Sequence, residues 1–260
     1  MKKFLQVLLT ALMVMTFSIA SAAQIGNDGF VEVEGVVYPE PGESLNDMRR
    51  VAIAEAYRAL AEEVDNLHVA SDTTIVKSRR VNDQINISVD AILSGVKIAK
   101  VYRESDGSFH AIARLGVYGG SSSLAGVVLP TDVVHEDFPS PKMTAMESIS
   151  SSQNYTGLIV DCRGKNLDTA IAPVIESAGG DRVYAYEQIS RQTAISFGMV
   201  DYSKDMNSGV SRAGNTPLVV KAVRVSGSCD PVISQEDADK VLVANQANHF
   251  LDNCSVVIVY

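Results

Sequence analysis

The chain has 260 residues, a formal net charge of −9 and no tryptophan, with 31 acidic side chains against 22 basic ones. That balance repels phosphate backbones, and Arg49-Arg50 and Arg79-Arg80 are isolated pairs with no aromatic-interleaved basic stripe. Nucleic acid and anionic membrane surfaces are therefore disfavoured as partners.

A cationic start, Lys2-Lys3, precedes an apolar run from Phe4 to Ile19 and the small-x-small tripeptide Ala20-Ser21-Ala22. This is the pattern of an export leader, residues 1–22, cut between Ala22 and Ala23 or one residue later. The apolar run is too short for a comfortable membrane span, and no later stretch is long and apolar enough for one. The leader holds two lysines and no acid, so its removal moves the formal charge from −9 to −11. Lipid attachment needs a cysteine at the new N-terminus, and the first cysteine is Cys162. The expectation is a soluble exported protein, periplasmic or secreted, with no lipid anchor.

Residues 30–38, FVEVEGVVY, alternate valine with glutamate and read as a strand with one face in water. Ser44 with Asp47 opens a helix over 45–65, in which Ile53, Tyr57, Leu60 and Val64 form one stripe beside Ala52, Ala54, Ala56, Ala59 and Ala61. A strand over 69–79 follows. The segment 81–93 has both a period-two and a helical reading, with Asn82 as cap and Gly95 just past the end favouring the helix. VKIAKVYRE and FHAIARLGVYG then form a hairpin around Ser105-Asp106-Gly107.

From Gly119 to Asn154 glycine, serine and proline break any period, which reads as a linker, although LAGVVLP at 124–130 is apolar enough to dock. TGLIVDCRG restarts the fold as a buried strand. Strands are expected at 182–189, 193–200 and in PLVVKAVRV, a helix from Ser234 to about Asp252, and a last strand in CSVVIVY.

The stretch VEVEGVVYPEPGESLNDMRRVAIAEAYRALAEEV, with GVKIAKVYRESDGSFHAIARLGVYG after it, resembles the LPP20 lipoprotein family and the related N-terminal domain of the flagellar assembly protein T. The resemblance lies in the arginine-led, alanine-rich helix and the glycine before a strand hairpin. It covers about 28–119 and contains no catalytic signature. It implies a small α/β domain of the bacterial cell envelope. The missing N-terminal cysteine departs from the lipoprotein branch, and the second half does not resemble the later domains of the flagellar protein.

Few residues suggest chemistry. His135-Glu136-Asp137 offers three ligand types in a row, but adjacent loop residues rarely converge on one ion. Asp201, Asp205, Asn207 and Gly209 imitate a calcium loop with its glycine one position early and Thr216 where a bidentate carboxylate belongs. Cys162, in Asp161-Cys162-Arg163-Gly164, could be a nucleophile if His249 served as its base. An exported chain allows one disulfide among three cysteines, Cys229 with Cys254 or Cys162 with Cys254, or none. Arg212 and Asn215, in the turn before PLVVKAVRV, are candidates for touching a partner.

These readings predict an α/β (α+β) protein of two small domains, each a mixed or antiparallel sheet with one or two packed helices. The first spans 24–119 and the second 154–260, with a linker over 120–153. The expected role is a non-enzymatic binding, structural or assembly function, with an envelope protein or a second copy as partner and no cofactor or metal. The alternatives are a periplasmic enzyme using Cys162 and a small-ligand module in the second half.

Overall fold

The computed structural model describes residues 25, 29–70, 73–74, 94–142, 154–208 and 210–260. The leader with its Ala22/Ala23 cleavage site, the segment 81–93 and the serine cluster at 148–152 lie outside the described residues. The chain is a mixed α/β fold, and among the described residues its strands form a three-stranded, a seven-stranded and a two-stranded sheet.

In the first half, β1 (Phe30–Val37), β4 (Lys97–Arg103) and β5 (Phe109–Gly116) make an antiparallel sheet in the order β1-β5-β4. Helix α1 (Leu45–Asn66) covers one face of it. Its cap is the expected one: the Asp47 amide donates to the Ser44 hydroxyl at 3.2 Å, and that hydroxyl donates to the Asp47 carboxylate at 2.6 Å. The buried stripe of α1 is Met48, Ala52, Ala56, Leu60 and Val64, with Ile53 and Tyr57 only half-buried. The alanines are thus the contact surface itself. The reason is Gly35 on β1, where an added Cβ would lie 2.2 Å from the Ala56 nitrogen and 2.5 Å from the Ala52 carbonyl oxygen. Helix and strand backbones touch there, and only glycine against alanine permits it.

The short strands β2 (His68–Ala70) and β3 (Thr73–Thr74) pair antiparallel. β2 also ties the halves together: the Ile171 amide donates to the His68 carbonyl at 3.0 Å and the Ala172 amide to that of Val69 at 2.7 Å. The expected linker begins as core. Leu124–Val128 form a helix, α2, capped by Ser123, and Leu124, Ala125, Val128 and Leu129 are buried. These apolar side chains have more to gain from burial than Gly119–Ser123 lose by being ordered.

The seven strands of the second half are β6 (Gly157–Asp161), β7 (Ile175–Ser177), β8 (Arg182–Tyr184), β9 (Asp201–Ser203), β10 (Pro217–Ser226), β11 (Asp230–Ile233) and β12 (Val256–Val259). They lie in the order β8-β7-β11-β10-β6-β12-β9. β10 spans two regimes: Pro217–Lys221 run parallel to β6, and past an irregularity between Ala222 and Arg224 it runs antiparallel to β11. Helices α3 (Arg191–Phe197) and α4 (Gln235–Asn248) flank the sheet in sequence. Two expectations are corrected here. No strand forms over 193–200: residues 193–197 belong to α3 and 198–200 are irregular, because the Ser190 side chain caps the Thr193 amide and starts a helical turn. The strand expected over 182–189 stops at Tyr184, and a 3-10 turn at Tyr186–Gln188 follows, closed by the Gln188 side chain on the Ala185 amide at 2.7 Å.

Candidate functional site

The exposed face of the three-stranded sheet carries the densest polar chemistry among the described residues. Val31 and Gly35 of β1 and Ala111, Ala113 and Leu115 of β5 turn toward α1, so the alternate residues face outward. There the Tyr102 hydroxyl donates to the Glu34 carboxylate at 2.6 Å, and His110 Nδ1 lies 2.9 Å from the same oxygen. His110 Nε2 lies 2.9 Å from Ser108 Oγ, which donates to Asp106 at 2.6 Å. Tyr102 stacks on the His110 ring with centroids 5.0 Å apart, and the Lys100 ammonium sits 4.3 Å above the tyrosine.

Serine, histidine and glutamate in sequence imitate a hydrolytic triad, and the physical details argue against one. Ser108 is 1 % exposed, so a substrate carbonyl has no approach to its oxygen. With its single hydroxyl proton donated to Asp106, Ser108 has none to give to His110. Glu34 is held below the ordinary glutamate range chiefly by the Tyr102 hydroxyl, with His110 adding to this against a smaller effect of burial. The arrangement is a polar brace across three strands. Sequence reasoning missed it because Glu34 lies 68 residues from Tyr102 and 76 from His110.

A second cluster joins the halves. Tyr118 is half-buried, its phenol pushed up by desolvation, and its ring occupies the space above Gly198, where a Cβ would come within 2.7 Å. Arg212 lies beside it, paired with Asp201 at 2.7 Å and donating to the Gly198 carbonyl at 2.9 Å and to that of Phe197. Burial raises the Asp201 carboxyl, and Arg212 partly offsets this. Arg212 therefore faces inward, with its side chain 20 % exposed, and is not available as the expected partner contact. Asn215 of the same turn is exposed.

The cysteines are three buried free thiols, so neither expected disulfide is formed. Register explains why. Cys254 precedes β12 at the end of the sheet where Leu158 pairs with Val256 and Gly157 with Pro217, while Cys229 follows the far end of β10. Nine residues of strand separate those levels, on the order of 30 Å, against the 7 Å limit between Cα atoms. Cys162 follows β6 and also lies at the opposite end from Cys254. The same geometry separates Cys162 from His249, which caps α4 shortly before β12. Burial, then Asp161, pushes the Cys162 thiol up to about 12, the reverse of an activated nucleophile. The adjacent Arg163 is spent on Asp161 with two contacts of 2.9 Å.

His135, Glu136 and Asp137 are exposed, and His135 lines a small pocket of about 130 Å³ with Tyr186 and Arg191. Asp205 uses its carboxylate on the Asn207 and Ser208 amides, at 2.7 and 2.8 Å, and so closes its own loop. Among the described residues no group of three or more potential ligands is placed to hold a metal.

The two halves match two different family models. Residues 40–116 match the family model of the LPP20 lipoprotein, and residues 157–260 match that of the second domain of Treponema pallidum Tp0624. Neither model covers half of the chain, and neither concerns flagellar assembly. The two matches fit a two-domain architecture, and the first agrees with the resemblance read from the alanine-rich helix and hairpin. No curated protein matches. Among the described residues no helix is long and apolar enough to cross a membrane.

Proposed function

We propose that this is an exported cell-envelope protein that acts by binding or assembly and not by catalysis, with an envelope protein or a second copy of itself as partner. The observation that carries this reading is the match of residues 40–116 to the LPP20 lipoprotein family. The buried state of Ser108 and of all three thiols supports the non-catalytic part. The family description speaks of a lipoprotein, whereas the cysteines of this chain lie at 162, 229 and 254. We propose release without a lipid anchor, after cleavage before Ala23 or one residue later.

Cell fractionation with N-terminal sequencing of the product tests the location and the cut, and palmitate labelling tests the anchor. In-cell crosslinking should trap an envelope partner or a dimer. A product that keeps Met1 and stays in the cytoplasm would refute the proposal. A Cys162→Ser variant should behave as the parent in every assay, since the thiol is not activated.

A further inference from the structure

Ile25 is the one large apolar side chain in AAQIGNDG, the stretch from Ala22 to Gly29. A chain start of that composition ordinarily frays unless something ties it down. Ile25 is tied: it is 3 % exposed, belongs to the main hydrophobic core, and its amide donates to the Thr169 hydroxyl at 2.9 Å. Thr169 is itself fully buried and lies 144 residues away, in the second half. A few positions after Ile25, the Gly29 carbonyl accepts from the Val117 amide at 2.9 Å and so extends the first sheet. The chain thus passes from one half to the other between Ile25 and Gly29.

The seat of Ile25 adjoins the other tie between the halves. Thr169, Ala170, Ile171 and Ala172 are all buried, the Ile171 and Ala172 amides go to β2, and Ala170 exchanges two hydrogen bonds of 3.0 Å with the Tyr202 hydroxyl. What precedes Ile25 gives this seat its meaning. The apolar run of the leader ends at Ile19, and Ala22 with Ala23 flanks the proposed cut. Extended backbone covers at most about 3.5 Å per residue, so the bond to be cut lies within roughly 10 Å of Ile25, and the apolar run within roughly 20 Å. A folded domain of about 100 residues has a radius of gyration near 13 Å, so bringing the chain out from a core position uses most of that reach. With Ile25 seated, the bond is drawn onto the folded surface, where a membrane peptidase cannot enclose the backbone on both sides of it.

We infer that the seat at Thr169 binds the processed N-terminus of this chain, and that Ile25 is a latch between the halves which closes only after the leader has been cut. Hydrolysis of the Ala22–Ala23 bond leaves the Ala22 carboxylate on the leader and a free amino group on Ala23, and the freed end then has room to seat. The timing rests on the proposed cut near Ala23, whereas the seat rests on the geometry of Ile25 and Thr169, so each has its own test.

Hydrogen exchange at the Ile171 and Ala172 amides, which bond to β2, reads the junction directly. In the purified protein starting at Ala23, Ile25→Ser and Thr169→Val should each speed exchange there at least about tenfold and lower the Tm. Gln24→Ser should change neither, and Ile25→Val, which still fills the seat, should behave as the parent. Circular dichroism melts would confirm that each variant folds, and Ile25→Ala replaces Ile25→Ser if that variant does not. For the timing, Ala20→Leu with Ala22→Leu removes the small-x-small pattern and keeps the leader attached. That precursor, held in detergent micelles, should exchange at these amides as fast as Ile25→Ser. A glycine-serine spacer of about twelve residues after Ala23, spanning roughly 20 Å, should restore protection without any cut. Parent-like protection in the uncut precursor without the spacer would overturn the timing, and unchanged exchange in Ile25→Ser would overturn the latch. If the parent keeps Met1 in cells, the proposed cut fails and the timing with it, while Ile25→Ser in that full chain still decides the seat.

Discussion

In the seven-stranded sheet, β11 and β12 are buried from end to end and β6 nearly so. In the three-stranded sheet only alternate residues are buried, and the others meet water. The difference shows in what each sheet can encode. Strands buried on both faces are written in Leu, Ile and Val, and their sequence carries packing and little else. A sheet with one open face has room for a second message, here a brace of Glu34, Tyr102 and His110. The first half is therefore where the exposed polar network lies, and the second half holds the larger share of the buried strands.

The sharpest way to break that arrangement is at the buried contact between β1 and α1. Gly35→Val should lower stability by about 3 kcal/mol or more, because backbone atoms and not a flexible side chain occupy the space. Chemical denaturation would measure it, and a cost below about 1 kcal/mol would mean that α1 can lift away.

Next in size is the junction. Arg212→Ala should cost about 2 kcal/mol, since it leaves the half-buried Asp201 and two carbonyl groups without their cation. Its pH dependence is specific. A carboxyl raised by burial takes up a proton on folding, so it favours the fold at acid pH and that contribution is lost as pH rises through the window between the unfolded and folded values. Removing Arg212 raises Asp201 further, so the variant should be penalised more at neutral than at acid pH.

The brace should matter less. Glu34→Gln should cost about 1 kcal/mol, weakening the contacts to Tyr102 and His110. Glu34 has a lowered folded value, so its contribution is present above the ordinary glutamate value and lost as pH falls through the folded one. Thermal melts of parent and variant should converge on acidification. Smallest of all, Val219→Thr on the 51 % exposed outer face of β10 should shift stability by no more than about 0.5 kcal/mol. A larger loss would show that something covers that face.

What could be read from the sequence follows the range of the interactions involved. The α1 cap, the hairpin around Asp106-Gly107 and the valine-rich strands depend on residues within a few positions of one another, and they stand where their patterns place them. Residues 193–200 misled because Thr193, Ile195 and Phe197 suit a strand, while the cap at Ser190 decided for a helix. The three-residue strands β7 and β9 have no period to detect, and sheet neighbours alone define them. Arg212 looked like a surface residue because its partner Asp201 precedes it by a loop whose path no local rule gives. The same applies to the row of Glu32, Arg114 and Lys97, which exists only in the register of three strands.

β12 lies between β6 and β9, pairing Leu158 with Val256 on one side and Tyr202 with Ile258 on the other. This placement sets a timetable. Until residues 256–259 emerge from the ribosome, β6 and β9 have a gap between them and the sheet cannot close. Nearly a hundred residues, 157–255, must wait in an open form, the state in which a chain is threaded across a membrane. Ribosome-bound chains halted before Val256 should thus be digested readily by protease throughout the second half, and chains released with that strand should resist.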